Sequence, residues 1–550
     1  MHTKFPASLT RKRFAARTVP PAAPLASTAP SDARIAPPAA RASRRGVPEI
    51  AYGRAAIFTV VVGWAALLAV VILRQTGIDG APWSILDRAL SVAGATLCAI
   101  ALLCYLAARQ GALIRLNEHV RVPRRELERH FAARQEALTV LVAGGDSAGA
   151  RTGPHALRAS LWSAALQEYP TLRVVLLLDA SSEPSAQAEA LMIVRRLTDA
   201  LAEPRARFED ALFVLELELA WGHDATDAHE VAEDLIDGLA ADYRWAVAWL
   251  ARQRLDEAVT DPSSAVFSTH TLGGPAADFA RIAADLDRAI SEHIPQTPER
   301  MLRLQRRLAW TFSAELEIFD GSLAGYVDQI GATATSTGTG TGDVAETDYL
   351  LTLGPEAQLL SDYCLRSIYF LDEPEHRGVA VVQTPSFPQG GQCTGRFFPG
   401  IRSLLHRSAS RYGASFWVGS TALIRTSALG DFRSGRAGGV AAVPAEVDAP
   451  RGLAMPARAA SGPSSPPSPS APGSVSAVDL GVRGWTLANF PERLSFSPAA
   501  PGFGSVIVQH RRPLLGDAVL LPRIWRQLRR EFGAGRSAGG SGRSPRWTPR

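Results

Sequence analysis

The chain has 550 residues, 46% of them apolar, with 46 Gly, 38 Pro and 4 Cys, and a formal net charge of +5. At roughly 150 residues per domain that length implies more than one unit, and so few Cys exclude a disulfide scaffold. Of the 58 basic residues only Lys4 and Lys12 are lysines, which excludes a P-loop and Schiff-base chemistry for everything that follows them.

Charge is unevenly distributed. Residues 1–54 hold ten basic and two acidic side chains and residues 523–550 hold eight Arg and one Glu, so the stretch between is net acidic. An acidic body with basic ends argues against nucleic-acid binding and for anchoring ends, with anionic lipid as the partner of the tails. Residues 1–54 are rich in Pro, Ala, Ser and Arg without periodicity and are predicted to be a disordered tail. Residues 55–73 (AAIFTVVVGWAALLAVVIL) and 89–108 carry no charge. Each is close to the ~20 residues that cross about 30 Å of hydrocarbon as a helix. The link 74–88 is nearly neutral, whereas seven Arg lie in 109–134. The positive-inside rule then predicts a transmembrane hairpin over 55–108 with both flanks cytoplasmic. The expected location is the inner (cytoplasmic) membrane, multi-pass, with both termini cytoplasmic. The first apolar run starts too late and is too long for a cleaved signal peptide. Residues 109–135 form a basic juxtamembrane segment.

A folded domain is expected from residue 136. LTVLV at 138–142, helical spacing over 155–169 and LRVVLLL at 172–178 read as strand, helix and strand of a parallel sheet. Asp179 then stands at a carboxyl strand end, where ligands usually bind. Residues 185–330 are mostly helical in pattern, and the Thr/Gly stretch 332–342 reads as a loop. Strands over 348–353 and 378–383 flank a short helix over 362–371. Gly, Ala, Pro and Ser dominate 433–474, predicted to be a disordered linker. Order returns over 475–530, and 531–550 is a disordered basic tail. The predicted class is α/β: a domain over 136–432 with a helical insertion at 185–330, completed by 475–530, built on a mostly parallel sheet and preceded by two transmembrane helices.

LTVLV, SLWSAALQEYPTLRVVLLLD, TDYLLTL, PEHRGVAVVQTP, FWVGSTALIR and VDLGVRGWTLANFPERLSFS…PGFGSVIVQHRR follow one another in that order. Together they resemble the family-2 glycosyltransferases of the bacterial cellulose-synthase-like kind, over nearly the whole soluble domain and the two preceding helices. The resemblance implies a Rossmann-like nucleotide-sugar transferase domain at the cytoplasmic membrane face, which moves a sugar from a nucleoside diphosphate to a polysaccharide acceptor. It also implies a partner in polysaccharide synthesis. Such transfer needs a carboxylate to deprotonate the acceptor hydroxyl, and Mg²⁺ or Mn²⁺ on hard oxygen ligands to hold the departing diphosphate.

The family's metal-binding Asp-x-Asp falls on Gly354-Pro355-Glu356, so Glu356 is the one candidate metal ligand there. The catalytic base falls near Gly473, inside the linker, so no base is intact. Paired aspartates after the second strand reduce to Asp179 followed by Ala180, and the Gln-x-x-Arg-Trp block reads Gln509-His510-Arg511-Arg512-Pro513. The nucleotide-sugar contacts implied are Asp179, Glu356, Gln509, Arg511 and Arg512. Trp417 and Gly419 of FWVGS line an acceptor groove by resemblance, or equally form a core aromatic beside a tight turn. The family's later membrane helices have no counterpart. The expectation is a glycosyltransferase-like protein with sugar transfer impaired or lost, using Mg or Mn if active. The alternative is a non-catalytic scaffold or partner subunit of a polysaccharide synthase.

Two rival constellations weigh less. Gly145-Asp146-Ser147-Ala148-Gly149 fits a hydrolase nucleophile elbow, but membrane helices occupy the place of that enzyme's upstream strands, which favours a glycine-rich turn. His223, Asp224, Asp227, His229 and Glu230 are dense enough for a metal. No further His or Cys stands near to close that site, and acidic residues suit a solvated helix start.

Overall fold

The computed structural model describes residues 46–76, 85–134, 136–143, 154–178, 184–221, 233–260, 268–321, 326, 347–389, 421–429, 480 and 484–498. The predicted tail before residue 46, the linker 433–474 and the end 531–550 lie outside them.

Two long apolar helices come first, α1 (Gly46–Thr76) and α2 (Ile85–Glu118). Each holds a window long and apolar enough to cross a membrane, Ala51–Val71 and Ala89–Glu118, and neither window is buried within the protein. A core helix would bury these side chains. Here Phe58, Leu67, Val70, Leu97 and Ile100 stay exposed, as helices solvated by lipid do, and the pair points to membrane association. The Trp64 indole donates to Thr96 Oγ1 at 3.3 Å. A Cβ on Gly53 would meet the tip of the Gln110 side chain on the second helix, so the two helices lie close together there. Both helices overrun their predicted limits. The first begins at Gly46, inside the predicted tail, because Pro48 sits in the first turn, where its missing N–H removes no helical bond. The second continues to Glu118 with Arg115 in its last turn, where the helix dipole favours a cation.

The body is built on strands β1 (Leu138–Ala143), β2 (Leu172–Leu178), β3 (Glu315–Asp320), β4 (Tyr349–Leu353), β5 (Gln358–Leu359), β6 (Val379–Gln383), β7 (Ser386–Gln389), β8 (Ala422–Arg425), β9 (Thr486–Asn489) and β10 (Ser495–Pro498). Seven of them form one sheet in the order β3-β2-β1-β4-β8-β6-β9, and the others form a small sheet, β5-β10-β7. In the large sheet β8 is antiparallel to β4 and β6, while every other neighbouring pair is parallel. Side chains of β1 and β4 alternate between two cores. Leu138, Val140, Val142, Tyr349, Leu351 and Leu353 enter one, and Leu141 and Leu350 enter the other. Burial on both faces is why these strands read as unbroken apolar runs.

Helix α4 (Pro154–Ala165) joins β1 to β2, and α9 (Tyr363–Asp372) joins the β4 side to β6. Between β2 and β3 lie α5 (Pro184–Trp221), α6 (Glu233–Thr260), α7 (Gly273–Ser291) and α8 (Pro298–Thr311). The stretch predicted as a helical insertion therefore also contains a strand. β3, with sequence ELEIFD, is a largely exposed edge strand of the sheet. Its charges suit an edge and hide it from any apolar-run criterion.

The chain leaving α2 is fastened to this body by charge. His119 Nε2 lies 2.9 Å from Glu492 Oε1, and its ring packs edge-on against Phe490. Arg121 reaches Asp362 at 3.4 Å and Glu492 at 3.6 Å. Helix α3 (Arg124–Ala132) follows and buries Leu127 and Phe131. Its Arg124 bonds Glu128 at 2.8 Å and contacts the buried Glu168, which also receives Arg307 at 3.2 Å. Arg303 meets Glu128 at 3.1 Å. At the far end of α3, Asp372 accepts from the Tyr349 hydroxyl at 2.5 Å and faces His130 Nε2 at 3.0 Å. Burial pushes the Asp362 carboxyl up, but the Arg366 charge and hydrogen bond, with Arg124 and Arg121, outweigh it and hold the group below its ordinary value. Burial first, and then the bond to Asp372, raise the Tyr349 hydroxyl.

Candidate functional site

In a parallel sheet, ligands collect at the carboxyl strand ends beside the strand where the chain order reverses. Here β1 is that strand, because β2 and β4 pair on its two sides in parallel. The described residues at this edge include Asp320 at the end of β3 and Gly321 after it, Gly354-Pro355-Glu356 after β4, Gln383 and Thr384 of β6 and its exit, and Asn489 at the end of β9.

The β4 exit is a tight, fixed turn. Ala357 N donates to Gly354 O at 3.0 Å, closing a four-residue turn with proline second, the position its locked φ favours. Ser160 of α4 braces it, its hydroxyl lying 2.8 Å from Pro355 O and 2.7 Å from Ala357 O. Downstream, the Gln167 side chain donates to Leu360 O at 2.9 Å and accepts from Cys364 N at 3.3 Å. Helix α4 and the turn that follows it thus hold the whole run from Gly354 to the start of α9 by buried polar bonds. Those buried groups are costly to leave unpaired, so the turn has little freedom. Glu356 sits third in this turn, half-buried, and forms no ion pair with a described residue.

The donor set at this turn does not fit a divalent cation. Mg²⁺ or Mn²⁺ would need several hard oxygen ligands. Gly354 supplies no side chain and Pro355 none that ligates, which leaves the Glu356 carboxylate alone. Among the described residues no group of three acidic, His or Cys side chains is placed to hold a metal. The other residues singled out in the sequence, Asp179, Trp417, Gly419, Gly473, Gln509, Arg511 and Arg512, lie outside the described residues. So do Ser147 and the 223–230 acid and histidine cluster.

The structure adds residues that the sequence did not single out. Each strand of the small sheet follows the carboxyl end of a large-sheet strand: β5 follows β4, β7 follows β6 and β10 follows β9. Phe496 is paired with Gln358 on one side and with Phe387 on the other, so these three side chains form one row on one sheet face. His270, in a π-helical turn (Ser268–Leu272) before α7, stacks on Phe496 at 4.6 Å. Phe387 stacks on Phe496 at 5.2 Å, and Arg493 lies over the Phe387 ring at 5.2 Å. Burial lowers both the His270 imidazole and the Arg493 guanidinium from their ordinary values. Strands of two to four residues carry no periodicity, so no sequence signal marks this face. Set beside known proteins, the chain matches no family model and no curated protein.

Proposed function

We propose that this chain is a membrane-attached, nucleotide-sugar-binding protein of the family-2 glycosyltransferase kind, with a Rossmann-like domain and with sugar transfer impaired or lost. What carries the reading is the reversal of strand order at β1, which puts the Gly354–Glu356 turn at the switch-point edge, where such folds bind nucleotides. The six sequence blocks that resemble the family support it. The lone carboxylate at that turn favours, as the second reading, a non-catalytic scaffold or partner subunit of a polysaccharide synthase. Without a base for the acceptor hydroxyl, transfer forgoes a contribution of about 10²–10⁴ in rate.

The test uses the full chain in nanodiscs, titrated with uridine and guanosine diphosphate sugars, with and without Mn²⁺. Weak binding that does not depend on the metal, with no transfer of radiolabel, is expected. Metal-dependent transfer abolished by Glu356→Ala would refute the impaired-transfer reading.

The domain and both termini are proposed to be cytoplasmic, in an inner membrane crossed twice. A reporter active only outside the cytoplasm is expected to give signal when fused after Gly80 and none when fused after Arg134. Signal from the Arg134 fusion alone would invert the topology and remove the domain from its proposed donor.

A further inference from the structure

The inner side of α5 packs Leu212, Leu215 and Leu219 against the core. On its outer side Phe213, Val214 and Leu217 stay 67%, 49% and 40% exposed. Their i, i+1, i+4 spacing sets them on one stripe. Among the described residues outside the two apolar helices, no other helix exposes three large apolar side chains so close together. Single exposed apolar residues are ordinary, but a contiguous stripe with a polar rim marks an interaction site. The rim here is acidic. From 208 to 243 the sequence has eleven Asp and Glu and neither Lys nor Arg. Arg207, just before this stretch, meets Asp242 near its end at 2.8 Å, which ties α5 to α6. Glu209 and Glu216 pair with Arg205 and Arg306. Asp210 and Glu218, one turn either side of Val214, are exposed and form no ion pair with a described residue.

We propose that this stripe is the docking surface for the chain's own basic segment 520–532. In that segment Leu521, Ile524, Trp525, Leu528 and Phe532 recur at i, i+3, i+4, i+7 and i+11, the spacing of one helical face. Arg523, Arg526, Arg529 and Arg530 fall between them. Apolar side chains would meet the stripe of α5, and Arg526 and Arg529 would reach the carboxylates at its rim. Charge selects this occupant, because a second copy of α5 would bring the same acids and be repelled. The other basic end, 1–54, has no apolar periodicity to match the stripe. Reach allows it as well. Residues 499–519 separate the segment from the end of β10, and 21 residues can span up to about 70 Å. Such a tether holds the segment near its surface at an effective concentration on the order of millimolar. The inference is independent of what the strand-end crevice binds.

The experiment uses the full chain, one copy per nanodisc, with a photoreactive benzoylphenylalanine in place of Phe213. The discs are phosphatidylcholine with one part in four of anionic phosphatidylglycerol, and mass spectrometry identifies the crosslinked peptides. Crosslinking to 520–532 is expected, and none when the probe instead replaces Met192, an exposed apolar residue elsewhere on α5. Trp525→Glu should cut the yield at least about tenfold, since it puts a charge where the indole would be buried. Glu218→Arg should cut it about two- to fivefold, the range of an exposed ion pair. Adding Arg526→Glu or Arg529→Glu should restore it. A crosslink to 520–532 no stronger from position 213 than from 192, or unmoved by Trp525→Glu, would overturn the proposal. So would a crosslink present in purely neutral discs and lost in the anionic ones, which would assign the segment to lipid.

Discussion

Glu168→Ala is expected to destabilise the body by about 3–5 kcal/mol, the usual cost of removing one partner of a buried ion pair. Glu168 is 1% exposed at its side chain and holds Arg307, itself 8% exposed, together with Arg124 of α3. Truncation leaves two guanidinium groups packed against each other with one carboxylate fewer, and the Arg307 charge already depresses Arg124 after burial does. The loss should appear as a lowered melting temperature. Amide exchange should also rise over residues 119–134, the segment that joins the apolar helices to the sheet. Glu299→Ala is the control. It removes the exposed pairs to Arg125 and Arg129 and should leave both readouts unchanged, since solvent screens such pairs. The same network predicts acid sensitivity. The Asp362 carboxyl is held below its ordinary value, so its contribution is complete above about pH 4 and is lost as pH falls through the lowered folded value. Glu136 works in the opposite sense, because burial and then the nearby Asp372 raise it. Stability measured from pH 6 to pH 2 should fall below about pH 4, and Asp362→Asn should flatten that fall.

The strands that the sequence made legible are those buried on both faces. LTVLV, LRVVLLL, DYLLTL and GVAVVQ could be read because β1, β2, β4 and β6 present apolar side chains to both cores. β3 could not, because an edge strand tolerates Glu315, Glu317 and Asp320 in the open. The strands β5, β7 and β10 are too short for a pattern, and SFPQ and SFSP contain the residue that normally argues against a strand. Their partners are distant in sequence, so Gln358, Phe387 and Arg493 come together only in the fold. Glu356 was legible from its place after β4, although the Ser160 brace that fixes its turn was not. The juxtamembrane arginines show a different limit. The positive-inside rule reads them as free charge near lipid, whereas Arg121, Arg124, Arg125, Arg129 and Arg134 all pair with carboxylates of the body. They fasten the domain to the segment that follows the apolar helices.

If the β4 turn lost its metal site through one position, restoring that position should return metal dependence. Gly354→Asp places a second carboxylate two residues before Glu356, at the edge where the proposed diphosphate lies. Gly354 is buried, but among the described residues glycines with positive φ occur at Gly321 and Gly484 and not there, so its φ does not oppose an L side chain. The carbonyl of Gly354, which accepts from Ala357 N, is untouched by a side chain. Partners one shell removed from a metal already change affinity 10–100-fold, so a direct oxygen ligand should strengthen Mn²⁺-dependent nucleotide binding by at least about tenfold. Two carboxylates and a diphosphate can together supply the hard oxygens such a cation needs. Manganese spin resonance in the presence of uridine diphosphate measures the bound fraction directly. The gain should vanish when Glu356→Ala is added, because one carboxylate then remains. Transfer should stay low even in Gly354→Asp, since the proposed loss of the general base is a separate one. Equal manganese binding in the native chain and in Gly354→Asp would mean that this turn does not face the diphosphate, and the donor site would have to be sought elsewhere on the sheet edge.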